Sequence, residues 1–191
     1  MKEKESGTKY QETKQHGSRL FPFNIYPCSI PVDFSHVALH WHEEMEIIAV
    51  KKGKGRITVD TVSYPVEEGD ILAVFPGQLH AISCGNGERM EYENIIFRLS
   101  MLMGDNGDGC TVHFLKPLQE GQAKNPVLIQ RNQPDHEVFG KVIQELDRFS
   151  EIRGNGYQLA VKGQLFLFLY YAYGRGILFA EKKPGHAREK I

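Results

Sequence analysis
The hydrophobic positions of the chain fall into three regimes, and each predicts a different kind of structure. Met1–Ser18 is rich in Lys, Glu, Gln and Thr with almost nothing to bury, which predicts a mobile polar tail. From Arg19 to about Arg131, short apolar stretches alternate with turn residues. Val37–His42 and Glu46–Lys51 read as two strands, and Arg56–Val59 and Ser63–Val66 flank Asp60-Thr61 as a hairpin. Ile71–Phe75 is almost wholly apolar, as a strand buried on both faces would be, and Glu91–Leu99 follows the loop Gly85-Asn86-Gly87. Short strands recurring every ~8–12 residues predict a β-sandwich or barrel.

Beyond Arg131 the period changes. Val138, Phe139, Val142, Ile143, Leu146 and Phe149 share one helical face, which predicts a helix over Asp135–Ser150, just after Pro134. A second helix is expected from near Tyr157 to Tyr173, ending at Gly174 and Gly176. Its segment Leu165–Tyr171 is apolar on every side, and such a helix is buried on every side. One side is expected on the barrel or the first helix, the other on a second copy of the chain. Residues 132–176 are therefore read as a helical pair for dimerisation, a two-fold homodimer being the commonest closed arrangement. Pro184-Gly185 then breaks the chain, His186–Ile191 is charged, and residues 177–191 are read as a linker stub.

Composition narrows the class. The 191 residues are 41% hydrophobic and 25% charged, as in one globular domain with appendages. A formal net charge of −1 gives no basic field for nucleic acid, so these residues alone are not expected to bind DNA specifically. Cys28, Cys84 and Cys110 are too few and too scattered for a disulfide framework, which points to a reducing cytoplasm. No signal peptide is legible in the polar N-terminus. The longest apolar run, the nine residues Leu165–Tyr173, is about half of the ~20 that span a bilayer. A soluble cytoplasmic protein is expected.

The chemistry concentrates in His40-Trp41-His42-Glu43-Glu44-Met45-Glu46 and Gly77-Gln78-Leu79-His80. Histidines at i and i+2 face one side of a strand, and Glu46 shares their parity. Three imidazoles (His40, His42 and His80) and one carboxylate suit a borderline divalent ion such as Zn, Ni, Mn, Fe or Co. On one straight strand Glu46 would lie about 13 Å from His42, too far for a shared ion. Convergence therefore requires a turn near Glu43–Met45, with Glu46 on the next strand. Without metal, the same four residues form a polar cluster.

These residues carry a resemblance. His40-x-His42-x3-Glu46-x6-Gly53 is similar to the first motif of the cupin superfamily, and Gly69-Asp70 with Pro76-Gly77-x2-His80 resembles the second. In the second motif the usual proline position holds Phe75, and the downstream asparagine is replaced by Cys84. Over residues 19–180 the chain more specifically resembles the N-terminal sensor half of an AraC-type transcriptional regulator. Phe21-Pro22-Phe23-Asn24-Ile25 resembles that family's lead-in arm, and the two trailing helices resemble its dimerisation helices. The resemblance implies a mainly β fold, a cupin double-stranded β-helix (jelly roll) over residues 19–131, followed by two C-terminal α-helices.

The resemblance implies a sensor that binds a small organic effector, such as a sugar, inside the barrel, with or without the metal. DNA would be contacted only through a region beyond Ile191, where the family's paired helix-turn-helix motifs would begin. Tyr92, Asn94 and Arg98 share parity on one strand and are candidate effector contacts, although parity alone does not say which face is inward. Trp41 and Met45 have the opposite parity to the histidines and are expected outside the barrel. Cys84 is read as an inert thiol, and Asp105-Asn106-Gly107-Asp108-Gly109 as a mobile turn without the register of an EF-hand. The alternative is a stand-alone metal-dependent cupin enzyme of dioxygenase, isomerase or decarboxylase type, with an open coordination position for substrate. No catalytic residue is assigned, since no nucleophile–base arrangement follows from the spacing. The helical pair with its charged stub favours the sensor, because an enzyme needs neither.

Overall fold
The computed structural model describes residues 10–104 and 108–176. The first half of the polar tail, the Asp105-Asn106-Gly107 part of the acidic loop and the C-terminal stub lie outside the described residues. Eight strands form the barrel: β1 Phe23–Ile30, β2 Val37–His40, β3 Met45–Val59, β4 Val62–Glu67, β5 Ile71–Val74, β6 His80–Ser83, β7 Met90–Phe97 and β8 Val127–Ile129. One face follows the order β1-β7-β3-β5-β8, while β2, β6 and β4 assemble around the far half of β3, every pair antiparallel. This is the cupin double-stranded β-helix, mainly β, followed by helices.

The fifteen residues of β3 join the two faces. Its first half pairs with β7 and β5, and its second half with β4 and β6. The crossing is at Gly53, where the β7 register has just shifted and φ is +78°. A Cβ there would stand 2.1 Å from the Arg89 carbonyl oxygen, so only glycine lets the two backbones approach. The polar run Lys51–Gly55 makes this strand look like two separate pieces in the sequence, and pairing on both sides makes it one.

Parity divides the core. Met45, Ile47 and Ala49 point out of the barrel beneath the helices, with Phe75, Ile95 and Phe97 beside them. Ile48 and Val50 point inward against Ile57, Val59, Leu72, Val74 and Ile82. The first half of β3 is therefore buried on both faces, which is why its sequence is a continuous apolar run. The expected placement of Met45 outside the barrel holds, as does the hairpin at Asp60-Thr61 between β3 and β4.

Among the described residues, one short α-helix lies between β7 and β8 and two longer ones follow β8. A π-helical turn at Thr111–Leu115 leads into α1, Lys116–Gln119, opened by Asp108, whose carboxylate accepts from the Cys110 and Thr111 backbone N–H groups. The pair α2, His136–Ile152, and α3, Tyr157–Gly174, lies within two residues of the sequence expectation. Phe139 of α2 and Phe168 of α3 are fully buried with ring centroids 5.3 Å apart in an edge-to-face arrangement. Arg175 ties the end of α3 to the start of α2 through a two-pronged contact with Asp135 at 2.7 Å. Burial of α3 is one-sided within the chain: Val161, Leu165, Phe168, Leu169 and Ala172 face inward, while Phe166, Leu167 and Tyr170 are exposed by 40%, 42% and 71%. Among the described residues no helix is long and apolar enough to cross a membrane.

Candidate metal centre
The chain turns immediately after β2, as the spacing requires. β2 ends at His40, His42 lies just past the strand, and Glu46 is the second residue of β3. His80 opens β6 and stands opposite His40 in the β2–β6 pair. One ligand-capable atom from each of His40, His42, Glu46 and His80 lies within 4.8 Å of all the others. His42, Glu46 and His80 are buried and His40 half-buried.

Each ring is aimed by its backbone. Nδ1–H of His40 donates to the Ala38 carbonyl at 2.9 Å, that of His42 to Glu44 at 3.0 Å, and that of His80 to Gln78 at 3.0 Å. A carbonyl can only accept, so these bonds fix the proton on Nδ1 and leave Nε2 of each ring for the centre. Outer bonds of this kind orient metal-ligating imidazoles. Nε2 of His42 and of His80 lie 2.9 and 3.1 Å from Glu46 Oε2. Two atoms bound at right angles to one ion at ~2.1 Å are ~3.0 Å apart, so this donor set fits a small divalent ion. Burial alone would raise the Glu46 carboxyl, but the His80 and His42 imidazoles outweigh it and hold it far below the usual carboxylate range. Burial likewise pulls His80 down, and Glu46 more than restores it, leaving His80 above its ordinary value. His40 is held below its ordinary value by burial and then by the neighbouring His80.

Beside the four donors opens a cavity of about 570 Å³. His40 and Glu46 line it with Tyr92, Asn94 and Ile96, while residues 12–16 and the Asp33–Val37 loop form its far wall. The Tyr92 hydroxyl and Asn94 Oδ1 are buried there without a hydrogen-bond partner among the described residues. Burial pushes the Tyr92 phenol up, and pushes the adjacent Cys28 thiol up to about 11, so both stay protonated at neutral pH. Arg98 stands apart from these two. β7 ends at Phe97, which breaks the parity that linked Arg98 to Tyr92 and Asn94. Its guanidinium reaches Glu44 at 2.7 Å and Glu43 at 3.6 Å, and it lines a separate cleft with Trp41 and Gly77. Cys84 is also outside the cluster, its thiol directed at the Lys54 carbonyl.

Residues 10–18, composed like a tail, lie against the barrel. Trp41 N–H donates to Tyr10 O and Glu12 N–H to Trp41 O, each at 2.9 Å. His16 is buried, with Nδ1 3.1 Å from the Tyr26 hydroxyl and its ring 6.2 Å from that of His42. Polar composition hid this segment, because its partners are the polar groups of the cavity mouth rather than the core. The four-residue spacing of Glu12 and His16 was the only local signal.

No curated protein sequence matches the chain. Among solved structures it is similar to a cupin 2 conserved barrel domain protein from Salinispora arenicola CNS-205, at 21% identity over 42% of this chain and TM-score 0.36. A cupin protein from Bacteroides fragilis is similar at 20% identity over 53% of this chain and 95% of that one, with TM-score 0.34. Oxalate decarboxylase from Bacillus subtilis, which has Mn(II) centres, is similar at 25% identity over 33% of this chain, with TM-score 0.30. The chain spans 66% of the Salinispora protein and 18% of the decarboxylase. Residues 31–169, well over half of the sequence, match the AraC-like ligand binding domain, and the chain belongs to that family.

Proposed function
We propose that this chain is the sensing and dimerising part of an AraC-type transcriptional regulator acting in the cytoplasm, and that its barrel binds a small effector beside a divalent metal. The observation that carries the reading is the convergence of His40, His42, Glu46 and His80 at the edge of the 570 Å³ cavity. His40, His42 and His80 would hold the ion through Nε2 and Glu46 through its carboxylate. A bound ion would supply a Lewis-acidic point for an effector oxygen or nitrogen. Tyr92 and Asn94 offer the effector two buried polar atoms that lack partners among the described residues. Burying such groups unpaired is costly, so a ligand that satisfies them gains affinity and orientation together.

The exposed strip of Phe166, Leu167 and Tyr170 on α3 supports dimerisation, since large apolar side chains grouped on a surface mark an interface. DNA would be read by a separate region, and the effector would act by binding one arrangement of that region more tightly than another. A metal-dependent cupin enzyme is the second reading, because an ion open to a cavity also suits substrate activation. The family assignment and the apolar strip favour the sensor.

Fusion of this chain to a DNA-binding module that represses only as a dimer tests the proposal. Repression in a reporter strain, abolished by Tyr170→Lys, is the expected result. A fusion that accumulates but never represses would refute the dimerising part.

A further inference from the structure
We propose that Glu12 stands on the open side of the metal centre as an internal carboxylate, and that the effector is a small carboxylate which takes its place. The proposal rests on the metal reading above. Glu12 Oε2 lies 3.8 Å from His40 Nε2, the nitrogen that faces the centre, and 3.8 Å from His16 Nε2. Glu12 is not one of the four mutually close donors, so it stands beside the centre on the His40 side, where its charge acts on an ion from the outer shell.

The position is built. The backbone on either side of Glu12 is pinned to Trp41, the residue between the two ligands His40 and His42. His16 is 2% exposed, its Nδ1 is engaged by Tyr26, and its Nε2 is buried without a hydrogen-bond partner among the described residues. That nitrogen faces the Glu12 carboxylate at 3.8 Å, and a ligand carboxylate seated between Glu12 and the centre would offer it an acceptor. The Glu12 side chain is 30% exposed, so it can swing out without opening the core.

Charge names the ligand class. A divalent ion with Glu46 as its one anionic donor keeps a positive charge, which Glu12 offsets in the resting protein. A ligand that displaces Glu12 replaces that charge most cheaply if it is itself a carboxylate, whereas a neutral polyol would leave the ion uncompensated. Lys14, on the same cavity wall with its ammonium 4.5 Å from the Tyr26 ring centroid, adds a second cation for an incoming anion. The remainder of the ligand would meet Tyr92 and Asn94.

The test uses the full chain loaded with Co²⁺, whose visible absorption reports the number and kind of ligands, and acetate as the probe. Glu12→Gln should change the spectrum and lower Co²⁺ affinity about tenfold. Acetate should bind the Glu12→Gln protein more tightly than the wild type, because its internal competitor is gone, and should return the spectrum toward that of the wild type. Equal Co²⁺ affinity, equal spectra or equal acetate affinity in the two proteins would overturn the role of Glu12 while leaving the metal centre standing. A tighter response to glycerol than to acetate would overturn the ligand class. If Co²⁺ binds neither protein, the metal reading falls and this proposal falls with it.

Discussion

Glu46→Gln in the metal-free protein should destabilise the fold far more at acidic than at alkaline pH. Glu46 Oε2 lies 2.9 and 3.1 Å from Nε2 of His42 and His80, all three side chains being buried. His80 already donates Nδ1–H to Gln78, so when Nε2 donates as well the ring is an imidazolium. Burial pulls His80 below 6.5, and the Glu46 charge outweighs it and raises the group. A raised imidazole contributes stability that is fully present below the unfolded value and is lost as pH rises through the folded value. The amide removes the charge but keeps the volume, so no cavity term enters. Burial then acts unopposed, and protonating His80 works against folding. At about pH 5.5 the variant strands a buried cation, at a cost of about 3–5 kcal/mol. At alkaline pH, above the folded value of His80, the ring has lost its Nε2 proton and offers Glu46 nothing to accept, while the amide can donate to the bare nitrogen, so the substitution costs ~1 kcal/mol or less. Urea unfolding in the presence of a chelator, at both pH values, measures the two differences. Equal destabilisation at the two pH values would show that Glu46 does not face a protonated imidazole and would refute the reasoning.

Other outcomes follow from the same geometry. Phe168→Ala removes a fully buried ring from the α2–α3 contact and should cost about 3–5 kcal/mol in urea unfolding, with a loss below ~1 kcal/mol counting against the packing described. Wild-type chain should sediment as a dimer at micromolar concentration and Tyr170→Lys as a folded monomer; a wild-type monomer would remove the role given to the α3 strip. Gly53→Ala should destabilise by ~1–3 kcal/mol or more, because its Cβ would meet the Arg89 carbonyl at 2.1 Å and φ is positive, and unchanged thermal melting would contradict the crossing described for β3.

Much of this was legible in the sequence, and the failures have causes. The distance argument placed Glu46 on the strand after His42, because a side-chain period of two and a fixed rise leave no other way for the donors to meet. The last two helices were legible from their period, and α3 also from its glycine end, whereas the short α1 has too few residues to show a period. Strand β1 was only partly visible, since Pro22 and Pro27 obscure its alternation, and the three residues of β8 are too short to show a period. The polar Lys51–Gly55 run concealed the continuity of β3, which depends on partners distant in sequence. Arg98 was assigned by parity one residue beyond the end of its strand. Glu12 and His16 were invisible because hydrophobic pattern reports the core, and these two act at a polar mouth.

The most direct test is the metal content of the purified chain. Protein prepared without chelator and without a nickel column, and then titrated with Zn²⁺ or Co²⁺, should bind one ion per chain at micromolar concentration or below. Saturation at about a hundredfold over Kd should raise stability by about 2.7 kcal/mol. For a domain of this size that is roughly 5–11 °C in melting temperature. His80→Ala should lose both the ion and the stabilisation. A wild-type chain that takes up no ion and shows no thermal shift would contradict the metal centre and leave His40, His42, Glu46 and His80 as a hydrogen-bonded cluster of the barrel.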